Sequence, residues 1–212
     1  MKTLKLRIET TQEMLGSLPG NPELYQDFIL SKRPDEAKGT DKEELDALPV
    51  EEEIGKQMTV FPRDGDGKPF LYDYQFKGFL KEAVRALQEV DDSPICTKEK
   101  QKKLGLTKWT YKGTMDKLVH VTPRKILFQL PEGGEITTCT RPLRASTMRG
   151  ERIALAHSEA VPSGTKLECE VVLLNSKLEK TIIAALDYGK WKGLLQWSNS
   201  GKGRFRYELV GE

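Results

Sequence analysis

The residues best suited to chemistry lie together near the end of the chain, in Lys190-Trp191-Lys192-Gly193-Leu194-Leu195-Gln196-Trp197-Ser198-Asn199-Ser200-Gly201-Lys202-Gly203-Arg204-Phe205-Arg206. Lysine and arginine supply positive charge and no acid stands among them. Glycine lets a phosphate come close to the backbone, where successive N–H groups form an anion-binding nest. Tryptophan faces beside cations are suited to stacking on bases. The segment therefore suits capture of a phosphate-rich ligand, with Trp191, Ser200, Lys202, Arg204 and Arg206 as candidate contacts. It is not a Walker A loop, which requires Gly where Gln196 stands and Ser or Thr where Gly203 stands. The alternative reading is a glycine-rich turn beside a core tryptophan, with Trp197 as the core residue.

A second candidate is Arg141-Pro142-Leu143-Arg144-Ala145-Ser146-Thr147-Met148-Arg149-Gly150-Glu151-Arg152. Arg141, Arg144, Arg149 and Arg152 bring guanidinium groups suited to bidentate capture of phosphate or carboxylate. If the flanking strands pair, alternation places Arg144 and Arg152 on one face. The alternative is a solvated hairpin. General acid–base chemistry is limited by the presence of only two histidines. His120-Val121-Thr122 matches one half of the paired His-x-Thr/Ser pattern of two-histidine phosphoesterases, but His157-Ser158-Glu159 puts Glu at the required hydroxyl position. If the chain is an enzyme, His157 or His120 is the catalytic candidate. Cys96, Cys139 and Cys169 are too scattered for a metal clip or a disulfide framework, and no HExxH, G-x-S-x-G or G-x-G-x-x-G spacing occurs. No metal and no cofactor is expected. Asp64 and Asp66 invite a calcium-loop reading, which fails because Lys68 stands where such a loop needs Asp or Asn and Gln75 where it needs a carboxylate.

These segments sit in a chain of 212 residues with a formal net charge of +2. That charge is a cancellation: residues 1–62 hold 8 Lys/Arg against 13 Asp/Glu, whereas residues 98–152 hold 13 against 5. A polyanion-facing surface is one consequence of such asymmetry and a solvated face the other. No run of 18 apolar residues and no signal-peptide core is present, so the expectation is a cytoplasmic chain without a membrane span.

The elements that must position these groups are legible in the periodicity. Leu4, Leu6 and Ile8 alternate with Lys5, Arg7 and Glu9, the pattern of a strand with one buried face. Residues 20–57 read as a helical, acidic insertion, with Thr40 and Glu43 as a capping box. Met58 to Phe61 and Pro69 to Tyr72 flank Asp64-Gly65-Asp66-Gly67 as a hairpin. Phe76, Phe79, Leu80, Ala83, Val84 and Leu87 recur at helical spacing. Residues 91–117 are basic, poor in aliphatics and punctuated by Pro94, Gly105 and Gly113, which suggests a long connection. Strand patterns follow at 118–122, 126–130, 136–144, 152–158 and 165–174. Ser176 and Glu179 suggest a capping box for a helix burying Leu178, Ile182, Ala185 and Leu186, and a last strand spans 204–210. Strands at both ends, helices between them and a β-rich middle give an α+β class. One decorated domain, 1–212, is expected, carrying the 20–57 insertion, a basic hairpin over 136–158 and the Gly-rich basic loop over 190–206.

A helix, then a glycine-rich basic loop, then a strand, in a chain that opens with a strand, resembles the CRISPR-associated RAMP superfamily of ferredoxin-like RNA-binding proteins. The resemblance covers about residues 176–210 and the opening strand. It implies an antiparallel sheet with helices on one face, an RNA or nucleotide partner and, in RAMP-like ribonucleases, a single His as base. Thr59-Val60-Phe61-Pro62-Arg63-Asp64, Arg141-Pro142-Leu143-Arg144-Ala145 and Asn199-Ser200-Gly201-Lys202-Gly203-Arg204-Phe205 also look like uncharacterised proteins of phages and prophages of Firmicutes, which implies a viral product in the host cytoplasm. The expected function is thus a non-catalytic binder of RNA or a small or cyclic nucleotide, in one version a sponge for a host nucleotide immune signal. The alternatives are a metal-independent RNA endonuclease and a self-associating phage structural or assembly protein.

Overall fold

The computed structural model describes residues 1–20, 58–147 and 150–211, with backbone alone at 143–147 and 150–154. The helical reading of the acidic segment, beyond residue 20, and Arg149 lie outside the described residues. The alternating pattern of the first residues does form a strand, β1 (Lys2–Thr10), with Leu4, Leu6 and Ile8 buried and Lys5 and Arg7 turned outward. It pairs antiparallel on one side with β10 (Lys166–Leu173), Leu6 opposite Cys169, and on the other with β11 (Phe205–Leu209), Ile8 opposite Tyr207. β10 in turn pairs with β6 (Val119–Thr122) and, further along the same edge, with β7 (Lys125–Gln129), which continues to β5 (Phe70–Tyr72).

Two helices cover one face of this sheet. The six apolar residues read at helical spacing are the buried residues of α1 (Asp73–Leu87), whose first N–H is held by the Gln75 side chain accepting from Tyr72 N at 3.0 Å. The second long helix, numbered α4 (Glu179–Asp187), buries Ile182, Ala185 and Leu186 with Leu178 just ahead of it. Its entry is a short 3₁₀ turn in which the Asn175 side chain accepts from Lys177 N at 3.1 Å. The expected Ser176 cap is thus replaced by the residue before it, because the extra turn moves the cap upstream. Phe79 of α1 meets Phe205 of β11 edge-on at 5.2 Å between ring centres, and Gly189 lies under that ring, where a Cβ would come within 2.3 Å. Burying each Leu, Ile, Val or Phe of this layer contributes about 1.5–3 kcal/mol.

Taken in chain order, β1-α1-β6-β10-α4-β11 form the sheet order β11-β1-β10-β6. This is the ferredoxin-like βαββαβ arrangement with helices on one face, so the chain has the α+β, ferredoxin-like fold class expected from its sequence. The basic connection is not structureless: it forms α2 (Lys98–Leu104) and α3 (Tyr111–Leu118). A second sheet is built on the long hairpin β8 (Thr137–Thr147) and β9 (Gly150–Val161). The free edge of β9 takes up β2 (Met14–Leu15) antiparallel and β4 (Met58–Val60) parallel, and β3 (Leu18–Pro19) joins β4.

The 58–73 hairpin is therefore corrected. Its turn forms, with Gly67 N donating to Asp64 O at 3.0 Å and a bridge between Arg63 and Pro69. Its two strands then part, β4 into the second sheet and β5 into the first. A partly buried Arg63–Glu159 ion pair, 2.5 Å, and Phe61 N donating to the same carboxylate at 2.8 Å fasten that divergence to β9. No helix among the described residues is long and apolar enough to cross a membrane, and no group of three or more potential metal ligands occurs among them.

Candidate ligand-binding site

The glycine-rich segment leaves α4 through a 3₁₀ turn, Tyr188–Lys190, and is anchored by Leu194, which is wholly buried. Its two limbs touch backbone to backbone. Leu194 N donates to Gly203 O at 2.9 Å and Gly203 N to Glu13 O at 2.7 Å. A Cβ on Gly193 would lie 1.9 Å from Lys202 O, and one on Gly203 2.3 Å from Leu194 O. Glycine at 193 and 203 is thus required by the crossing of the chain over itself. The amides of Trp191, Lys192, Leu194, Ser200, Gly201, Lys202 and Gly203 all donate within the protein. Close backbone approaches and turns thus satisfy those seven donors. Leu195 and Trp197 both adopt positive φ, 63° and 58°. Non-glycine residues in that region carry strain, which concentrates at functional sites.

The cations of the loop are largely neutralised. Lys202 pairs with Glu13, Lys192 with Glu82 on α1, Lys190 with Asp187 at 3.3 Å and Arg206 with Glu9 at 2.8 Å. Arg204 donates from Nε to the Trp191 carbonyl at 2.9 Å. Arg206 lies on β11 opposite Glu9 of β1, on the open face of the first sheet and away from the rest of the loop. Ser200 is exposed, and Trp191 projects with 71% of its surface accessible.

Arg141 is different. It sits on β8 where that strand passes the loop, joining the two candidate segments through a partner, Gln196, that lies 55 residues away in sequence. Its guanidinium lies 4.0 Å from the centre of the Trp197 ring, and Nη2 donates to Gln196 Oε1 at 2.8 Å. The residue is 8% exposed, and its Nε and Nη1 are buried without a hydrogen-bond partner. No carboxylate pairs with it among the described residues. Burial pulls its pKa below the ordinary value, but arginine stays charged at neutral pH. A buried guanidinium with no counter-charge costs several kcal/mol, which Trp197 and one amide oxygen offset only in part. Trp197, read from sequence as the core alternative, is half-buried and is the stacking partner; Gln196 was not singled out. Gln196 lies between the positive-φ residues Leu195 and Trp197, a local conformation that periodicity cannot reveal.

The other candidate residues do not converge here. Arg144 stands opposite Ile153 and Arg152 opposite Ala145. These positions are one step out of phase in the strand alternation, so pairing does not bring the two arginines into register as expected. Thr140 is opposite His157, with Oγ1 and Nδ1 2.9 Å apart, whereas Arg141 is opposite Ala156. Alternation therefore turns His157 to the opposite face of the hairpin from Arg141. His120 is exposed on β6, near the Lys117 carbonyl at 3.3 Å.

Gln196 also borders a cleft of about 400 Å³ between α1 and the loop, lined among others by Ser17, Tyr74, Gln75 and Glu82. Its volume falls within the range of small-molecule sites. A second cleft of about 450 Å³ lies on the open sheet face, where Arg7 and Glu168, 2.9 Å apart, already neutralise each other.

The chain thus combines a ferredoxin-like sheet, a glycine-rich crossing after its second helix and a buried arginine held against that crossing. A solved structure is similar at the level of fold. One similar chain comes from a Type III-B Cmr-beta complex bound to cognate target RNA, at 11% identity and a TM-score of 0.50, the match covering 98% of this chain and 60% of that one. Another comes from a Type IV-B CRISPR complex, at 12% identity and a TM-score of 0.49, covering 99% and 91%. This chain thus spans about 60% of the length of the first. It matches no protein-family model and no curated protein.

Proposed function

We propose that this chain is a non-catalytic RNA-binding protein that takes an RNA phosphate at Arg141. The observation that carries this is the buried, stacked guanidinium with two donors unused by the protein. The RAMP-type fold supports it, because the Cmr-beta complex that shares the fold was solved with target RNA. The cleft beside Gln196 supplies room for a base next to that phosphate. Replacement of Arg141 by Met keeps an apolar stem over Trp197 and removes the charge. Affinity for a fluorescent oligouridylate should fall at least tenfold, since hydrogen bonds to a charged group contribute about 1.5–3 kcal/mol each. Folding stability should hold or rise, because the substitution removes an uncompensated buried charge. Unchanged affinity in Arg141→Met would overturn the proposal.

A compact nucleotide is the second reading, favoured by the size of the cleft. In its most specific form a phage-encoded chain sequesters a host nucleotide signal in the cytoplasm, binding it without turnover. Ionic strength separates the two: several phosphate contacts give a steep fall of affinity with salt and one compact ligand a shallow one.

A further inference from the structure

The strongest unpaired positive surface lies elsewhere. Residues 98–117 contain seven lysines against Glu99 and Asp116. All seven are exposed, and none makes a salt bridge among the described residues. In their midst Trp109 is 89% accessible. An indole is an expensive group to leave in water, since a buried aromatic contributes more apolar area than any other side chain.

This surface is held rigidly. α2 buries no residue and has Thr97 as its cap, accepting from Lys100 N at 3.3 Å, while Gly105 ends it in the left-handed region with φ 67°. The Gly105 carbonyl then accepts from Thr110 Oγ1 and Thr114 Oγ1, both at 2.7 Å. Leu106 and Met115 are wholly buried on either side of the tip, and Gln88, which caps the end of α1, donates from Nε2 to Leu106 O at 2.9 Å. Asp116 pairs with Lys81 at 2.5 Å and Lys77 at 3.6 Å, which fixes α3 to α1. The tip thus has its backbone satisfied and its anchors buried, and it presents an indole between Lys108 and Lys112. Lysines that track a backbone around an exposed aromatic are the ingredients of single-strand recognition.

We infer that the α2–α3 tip is a second RNA-contact surface, on which Trp109 stacks with an unpaired base while the surrounding lysines hold the flanking phosphates. It rests on the reading of the chain as an RNA binder but uses none of the groups around Arg141. The occupant is a single strand, because stacking on a protruding indole requires a free base face.

The test uses a fluorescent oligouridylate of about a dozen nucleotides and the full chain. RNA should quench tryptophan emission, and Trp109→Ala should remove most of that quenching and lower affinity about tenfold. Lys102→Gln with Lys103→Gln should flatten the salt dependence by about 1.4 in log–log slope, roughly 0.7 per lost contact. Arg141→Met should leave the Trp109-dependent quenching in place. If Trp109→Ala binds as tightly as the unaltered chain while Arg141→Met does not, the inference fails and the Arg141 site stands. If the reverse holds, the Arg141 proposal fails and the tip stands. Full competition by polyglutamate would make the tip a docking surface for acidic protein and overturn the inference. No binding of oligouridylate at low salt would overturn both.

Discussion

Two basic segments of this chain look alike when charges are counted and differ once folded. The 190–206 loop holds Lys and Arg with no acid inside it, yet Asp187 reaches it from three residues before and Glu9, Glu13 and Glu82 from 110 to 197 residues away. The 98–117 segment holds two acids of its own, but Asp116 is engaged by Lys77 and Lys81 of α1 and leaves the segment's lysines facing water. The loop has glycines because its chain crosses itself; the tip has glycine because a helix ends there. Charge density along a sequence is thus not charge on a surface. What remains without an acid partner is a buried Arg141 and a carbonyl-bound Arg204 at the loop, and a field of lysines around an exposed tryptophan at the tip.

The largest test of this contrast is steric. Gly193→Ala places a Cβ 1.9 Å from the Lys202 carbonyl and should destabilise the fold by about 3 kcal/mol or more. Gly113→Ala, in α3 with nothing within 4 Å of the new Cβ, should stabilise it by about 0.5–1 kcal/mol. Urea midpoints measure both. A neutral Gly193→Ala would reopen the loop as a phosphate nest and erase the distinction between the regions.

A smaller effect comes from releasing one loop cation. Glu13→Gln should free Lys202, raise oligouridylate affinity about threefold at low salt and steepen the salt slope by about 0.7. Binding titrations at several ionic strengths check this. An unaltered affinity would mean that Lys202 does not face the RNA at all, leaving Arg141 as the loop region's only contribution.

The sequence revealed elements whose partners are local or periodic. β1 and α1 were legible because alternation and helical spacing record which face is buried, and all six apolar positions of α1 are indeed buried. The last strand was legible by the same logic, whereas its pairing with β1 joins opposite ends of the chain and leaves no periodic trace. The 58–73 hairpin was half legible: Asp64 to Gly67 do turn, but whether two strands stay together is decided by β9 and β7, far away in the chain. Trp197 was legible as an aromatic in a basic loop, not as the plate under Arg141, since the contact spans 56 positions. Neutralisation of Lys192 and Lys202 was equally hidden, and for the same reason.

The smallest effect concerns how the tip is fastened. Burial pushes the Asp116 carboxyl up, but Lys81 first and Lys77 second outweigh it and hold the group below its ordinary value of 3.8. A carboxyl depressed in the folded state contributes stability above its unfolded pKa and loses it as pH falls through the folded value. The tie between α3 and α1 should therefore weaken below about pH 4. Asp116 is half exposed, at 52%, so the loss is only a few tenths of a kcal/mol. Hydrogen-exchange protection reads it locally. The Leu106 and Tyr111 amides, bonded to Gln101 O and Thr107 O, should lose protection as pH drops, whereas the Leu194 amide at the loop's neck should keep it. Asp116→Asn should make the tip's protection independent of pH at its lower level. Equal loss at both places would show that acid acts on the fold as a whole, and that the tip is not fastened separately from the loop.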